Sequence, residues 1–194
     1  DGLDGRVARL LKSSSKLGAE LDSLTDFVNF GVAPGMILYL WLLHDLRSLG
    51  WIAALVFAIC MALRLARFNV ANAAKNKKKE EEWQENYFTG VPAPAGAMCV
   101  LLPLSLQKMG VPIDSSWAVP VLIYVLVIGF LVVSTLPTFS GKKVGGRVPR
   151  DVALPLMVGL VLWFALLASY PFTVVTIMTL VYLALLPFGA VSFR

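Results

Sequence analysis

The chain has 194 residues, 58% of them hydrophobic and 15% charged, with 17 Lys and Arg against 12 Asp and Glu. A soluble domain is nearer 45–50% apolar and about 25% charged, so these proportions exclude an ordinary water-soluble fold. The long apolar runs do not alternate with polar residues, which also excludes a membrane β-barrel.

The expected architecture is all-α: a polytopic transmembrane helix bundle forming one domain over residues 1–194. Residues 1–12 read as the last turns of a helix whose apolar part precedes Asp1, so at least one further membrane helix is expected upstream. Ser13, Ser14, Ser15 and Lys16 break that helix. A long helix over about 17–43 starts polar, with Glu20, Asp22 and Asp26, and turns apolar towards Leu43. HDLRS (44–48) is a short loop, and the next helix covers about 49–73, with Arg64 and Arg67 in its final third. The polar stretch 74–92 contains KNKKKEEEWQEN. It reads as a solvated, self-neutralising loop, or as a surface helix resting Trp83 and Tyr87 in the interface. Apolar helices follow at about 95–109, 116–137, 152–169 and 172–190. That makes six spanning helices, at roughly the 18 or more apolar residues a crossing requires, plus the tail of another.

Loop charge orients the bundle. With loops assigned alternately to two sides, Arg47 and Lys108 fall on one side and the other 15 of the 17 cations fall on the opposite one. This is a positive-inside bias, so the rich side is expected to face the cytoplasm, in the inner membrane of the cell. The net charge of +5 is then an effect of topology and of attraction to anionic head groups, and nucleic acid is not an expected partner. Cys60 and Cys99 stand alone in apolar runs and read as small packing residues. The single histidine, His44, reads as a solvated loop residue beside Asp45.

Four aspartates, Asp1, Asp4, Asp22 and Asp26, belong to the cation-rich side. Asp1 and Asp4 are three apart and Asp22 and Asp26 four apart, so each pair shares a helix face with Cβ atoms about 5–6 Å apart. Two helices joined by a short loop are antiparallel neighbours, which lets the pairs face each other. Carboxylates gathered in a low-dielectric bundle repel, and each ionisable group at bilayer depth costs about 2.5–3.5 kcal/mol on the mild scale. A divalent cation offsets both penalties, and all-oxygen ligation suits Mg²⁺, Mn²⁺ or Ca²⁺. The plainer alternative is four solvated aspartates at the membrane edge. Gly5 and Gly18 allow close approach to the helix surfaces, and Arg9 and Ser15 stand nearby. A metal beside an arginine and small residues is a setting for phosphate.

The pattern Asp1-x2-Asp4-Gly5-x2-Ala8-Arg9-x8-Gly18-x3-Asp22-x3-Asp26 resembles the signature of the CDP-alcohol phosphatidyltransferases at every fixed position. Three further stretches, AELDSLTDFVNFGVAPG (19–35), ALRLARFN (62–69) and FTGVPAPAGA (88–97), resemble the bacterial and archaeal serine-using branch of that family, the phosphatidylserine synthases. The likeness covers roughly residues 1–100, and Asn29 stands where that branch is expected to carry serine.

The resemblance implies an enzyme that transfers the phosphatidyl group of CDP-diacylglycerol to the hydroxyl of L-serine and releases CMP. It implies that Asp1, Asp4, Asp22 and Asp26 ligate one or two Mg²⁺ or Mn²⁺ ions, with Ca²⁺ as a non-productive occupant, and that Asp26 is also the catalytic base. It further implies that Gly5, Ala8, Arg9, Ser15 and Gly18 contact the CDP-lipid and that the enzyme is a homodimer among membrane lipids. Arg64, Arg67 and Asn29 are candidates for the serine carboxylate or a lipid phosphate. For the two arginines the alternative is that of positive-inside anchors with snorkelling side chains. Other acceptors, glycerol 3-phosphate or an inositol phosphate, and an archaeal-type lipid donor remain open. A divalent-cation transporter would predict ionisable residues deeper in the later helices, and the apolar segments 116–137, 152–169 and 172–190 carry none.

Overall fold

The computed structural model describes residues 16–75, 87–89, 91–134, 137–139 and 150–192. Helix α1 (Lys16–Phe27) passes without a break into a π-helical turn, Val28–Val32, and then into α2 (Ala33–Trp41). The turn is closed by the Ala33 N–H donating to the Val28 carbonyl, five residues back. Pro34 follows in the first turn of α2, where its missing N–H is tolerated. The helix expected over 17–43 is therefore one continuous rod with a widened turn directly after Asp26.

The chain then reverses through a 3₁₀ turn, Leu43–Leu46, and Arg47 at φ 50°. Gly50 lies so close to the Leu43 carbonyl that a Cβ would collide with it, which makes glycine the residue that permits this reversal. His44 is exposed, with Nε2 3.2 Å from Asp45 Oδ1, in keeping with a solvated loop residue.

Helix α3 (Ser48–Lys75) is the central element, 28 residues long. It packs along α6 (Ala118–Val133) and against α2. Between them come α4 (Ala93–Val100) and α5 (Leu102–Lys108), divided at Leu101 within the single segment expected over 95–109. Pro92 and Pro94 start α4, as their missing N–H groups favour. Phe57, Met61, Leu38, Val100, Val125 and Val132 are fully buried and form the middle of the core. Gly129 brings α6 within ordinary contact of Cys60 Sγ on α3, at 3.5 Å from a virtual Cβ. Cys60 is half-buried and Cys99 buried, both as free thiols, consistent with packing.

One end of the core is closed by side-chain hydrogen bonds. Trp41 Nε1 donates to Gln107 Oε1 at 2.7 Å, and Gln107 Nε2 donates to the Ile113 carbonyl at 3.0 Å. At the other end a three-residue antiparallel ladder joins β1 (Tyr87–Thr89) to β2 (Pro137–Phe139), pairing Tyr87 with Phe139. This ladder is the described exception to an otherwise helical chain.

Helices α7 (Arg150–Ser169) and α8 (Pro171–Ser192) meet at Tyr170 and bend by 116°. Among the described residues, Ser48–Ala71 and Ser115–Val133 are long and apolar enough to cross a membrane, and the bent pair Leu154–Ser169 and Pro171–Leu186 makes up to three. Leu154, Met157, Val161 and Phe164 of α7 are all exposed. Apolar surface of this extent is unfavourable in water and costs nothing in lipid.

Candidate active site

The site is built on α1. Asp22 and Asp26 stand four residues apart on it, Asp22 exposed and Asp26 half-buried. They are the described half of the expected carboxylate set; Asp1, Asp4, Gly5, Ala8, Arg9 and Ser15 lie outside the described residues. Gly18 is exposed on the same helix. Neither carboxylate takes a hydrogen bond or ion pair from a described residue. An open pair of oxygen donors fits a hard cation such as Mg²⁺ or Mn²⁺. Among the described residues no three ligating side chains are gathered.

Two contacts fix α1 and its π-helical extension against α3. Asn69 Nδ2 donates to Ser23 Oγ at 2.9 Å, beside Asp22. Eight residues further on, a Cβ added at Gly31 would meet Met61 Cβ at 3.0 Å. Ser23 with Asn69 and Gly31 with Met61 share one antiparallel register, in which Asp26 falls opposite Ala66 along the helix axes. Close packing through glycine is the usual way membrane helices approach.

The two arginines diverge, although their spacing places them on one side of the helix. Arg64 is 6% exposed and its Nε donates to the Val91 carbonyl at 2.9 Å. Its Cζ lies 5.8 Å from the Phe68 ring centroid, a cation–π distance. It does not snorkel to solvent. Arg67 is exposed and its Nη1 donates to the Val133 carbonyl at 2.7 Å. Asn29 is exposed and borders a cavity of about 370 Å³ with Phe30, Pro34, Pro94, Leu101 and Phe172, a space that neither arginine lines.

An apolar groove of about 430 Å³ begins at Ala66 and at Phe27, the residue after Asp26, and continues past Leu63, Ile59 and Leu55 to Trp51. From Ala66 to Trp51 it follows about 22 Å of helix. Its walls are almost entirely carbon, and its one mark in the sequence is the row of small residues Ala54, Ala58, Ala62 and Ala66 on one face of α3. Sequence reasoning also passed over Ser23 and Asn69, whose partnership depends on a register between helices.

Residues 1–135 match the family model for CDP-alcohol phosphatidyltransferase, and residues 151–187 match a second model, CDP-alcohol phosphatidyltransferase 2. The chain is 38% identical over 191 residues to the CDP-diacylglycerol–serine O-phosphatidyltransferase of Mycobacterium leprae, covering 97% of this chain and 61% of the relative. It is 36% identical to the enzyme of the same name from Mycobacterium tuberculosis, covering 100% of this chain and 66% of the relative. The Helicobacter pylori enzyme of that name is 34% identical, over 83% of this chain and 65% of the relative. The chain thus spans a little under two thirds of the length of these curated relatives. With the first model matched across the aspartate-bearing helix, the groove and the central helix, the chain belongs to the CDP-alcohol phosphatidyltransferase family.

Proposed function

We propose that this protein transfers the phosphatidyl group of CDP-diacylglycerol to L-serine in the cytoplasmic leaflet of the inner membrane, releasing CMP. The observation that carries the reading is the placement of Asp22 and Asp26. Neither takes a hydrogen bond or ion pair from a described residue, Asp26 directly precedes Phe27 at one end of a long apolar groove, and they belong to a chain of this family. The activity named for its relatives supports serine as acceptor.

In this reading the groove from Phe27 to Trp51 takes an acyl chain, so the donor keeps its tails in an apolar setting while its head group reaches Asp26. Asp1, Asp4, Asp22 and Asp26 would hold Mg²⁺ or Mn²⁺, which when bound supplies neutralisation of the pyrophosphate and alignment of attack with departure. Asp26 accepts the proton of the serine hydroxyl as that oxygen bonds to the lipid-linked phosphorus. The bond from this phosphorus to the bridging oxygen breaks, and CMP leaves with that oxygen. Gly5, Ala8, Arg9, Ser15 and Gly18 contact the CDP-lipid. The six predicted helical segments serve as crossings, and two copies assemble as a dimer.

The test is CMP release by the purified full chain in nanodiscs, with CDP-diacylglycerol and a panel of acceptors: L-serine, glycerol 3-phosphate and inositol phosphate, each with and without Mg²⁺ or Mn²⁺. Serine-dependent release that requires the cation is expected. Release with a phosphorylated acceptor and none with serine would refute the assignment of acceptor.

A further inference from the structure

The apolar groove runs between the two arms of a helical hairpin, the rod that carries Phe27 and the central helix α3. Its α3 side is graded. Ala54 and Ala58 are buried, whereas Leu55 and Ile59 in the neighbouring row are exposed. Alanine therefore gives a low floor and the longer side chains a rim. The arms are joined at one end by the reversal through Leu43–Leu46 and Arg47. The opposite end, at Phe27 and Ala66, has no such connection.

Trp51 stands at the joined end. It lines the groove from the first turn of α3, where its N–H donates to the Arg47 carbonyl at 3.3 Å. Tyr39 meets its indole from α2 in a T-shaped contact, with ring centroids 5.2 Å apart and planes at 72°, a preferred geometry for an aromatic pair. The pair thus spans both arms. An indole braced in this way ends a groove whose floor is otherwise alanine.

We propose that Trp51, braced by Tyr39, is the stop that limits the length of the acyl chain on the lipid donor. The inference rests on the transfer reaction and the acyl site proposed above, and it names the residue that selects among donors. In lipid a chain gains nothing by leaving water, so a groove selects by fit rather than by burial. From Ala66 to Trp51 the groove follows about 22 Å of helix. Carbon–carbon bonds of about 1.5 Å in an extended zigzag advance about 1.25 Å per carbon, so about 17 or 18 carbons fill that length. A longer chain meets the indole and has to buckle out over the rim.

The test supplies the purified full chain in nanodiscs with two CDP-diacylglycerols in competition, L-serine and Mg²⁺ or Mn²⁺, and resolves the lipid products by mass. The wild type should favour the dipalmitoyl donor, which fits, over the dibehenoyl donor, which is too long, by about fivefold or more, the lower end of the cost of overfilling a packed site. Trp51→Ala should bring that preference to about twofold or less, and Trp51→Phe, which keeps a ring, should retain most of it. Ala58→Phe raises the floor eight residues from Ala66, about 12 Å along the helix, or about 10 carbons. It should turn the preference towards the didecanoyl donor over the dipalmitoyl one. Both donors compete in one sample, so a loss of folded protein leaves each ratio untouched. A wild type indifferent to chain length, or a Trp51→Ala protein with the wild-type ratio, overturns the stop. An Ala58→Phe protein with the wild-type ratio overturns the groove as the place of the chain. A wild type that uses another alcohol instead of serine loses the acceptor assignment alone, and the ratios are read with that alcohol. A wild type that transfers to no alcohol removes the proposed function and this inference with it.

Discussion

Replacing Gly31 by alanine strikes the contact that holds the aspartate-bearing rod against α3. The added Cβ would stand 3.0 Å from Met61 Cβ and 3.2 Å from Phe27 Cδ2. Comfortable carbon–carbon contact is about 3.5–4.0 Å, so the methyl group requires a few tenths of an ångström more room. Met61 has no way to yield by changing rotamer, because the atom in question is fixed to its backbone. The rod itself must therefore shift, and Asp26 lies little more than one turn away on it. Overpacking of this kind costs about 1–3 kcal/mol, and the helix-forming gain of Gly→Ala returns about 0.5–1 kcal/mol, leaving a net loss of roughly 1–2 kcal/mol. A 1 Å misplacement at a reacting group costs about 10²-fold in turnover, so a shift of a few tenths of an ångström is expected to lower turnover severalfold. The assay pairs the thermal midpoint of the purified chain with its rate of CMP release. Gly159→Ala serves as the control, because nothing lies within 4 Å of its virtual Cβ, and its midpoint should match or exceed that of the wild type. A Gly31→Ala protein equal to the wild type in both midpoint and turnover would refute the close-packing argument.

Asn69→Ala removes the donor to Ser23 Oγ and is expected to lower stability by about 0.5–1.5 kcal/mol, with kcat falling because α1 is less firmly held. An unchanged midpoint and kcat would show that this exposed bond holds nothing in place. Gln107→Leu breaks both the Trp41 and the Ile113 links. It should destabilise by about 1–3 kcal/mol while leaving the KM of either substrate unaltered, since these bonds close the end of the bundle away from Asp26; a changed KM would contradict that separation. Chelation by EDTA should abolish CMP release, and Mg²⁺ or Mn²⁺ should restore it. Full activity in chelator would rule out the cation.

Much of the helical outline was legible because chain punctuation is local. The central helix, expected over 49–73, runs from Ser48 to Lys75. The prolines at 92 and 94 do mark the start of a helix at Ala93. The π-helical turn after Asp26 was not legible, because an extra residue in one turn leaves no mark in a uniformly apolar run. Nor was the division at Leu101 or the sharp bend at Tyr170, since both depend on how neighbouring helices pack. The spacing of Asp22 and Asp26 was readable from helical periodicity alone. The inward course of Arg64 was not, because a cation near a helix end equally suits an anchor or a buried group until the Val91 carbonyl is seen to receive it.

Mn²⁺ binding is the most direct measure of whether carboxylates from two neighbouring segments jointly hold a cation. Free Mn²⁺ can be followed by its EPR signal during titration of the purified chain with CDP-diacylglycerol present, for the wild type, Asp4→Asn and Asp26→Asn. The wild type should sequester the ion, and each variant, one from either segment, should lose most of that binding while remaining folded. Undiminished Mn²⁺ binding in either variant would contradict the shared site.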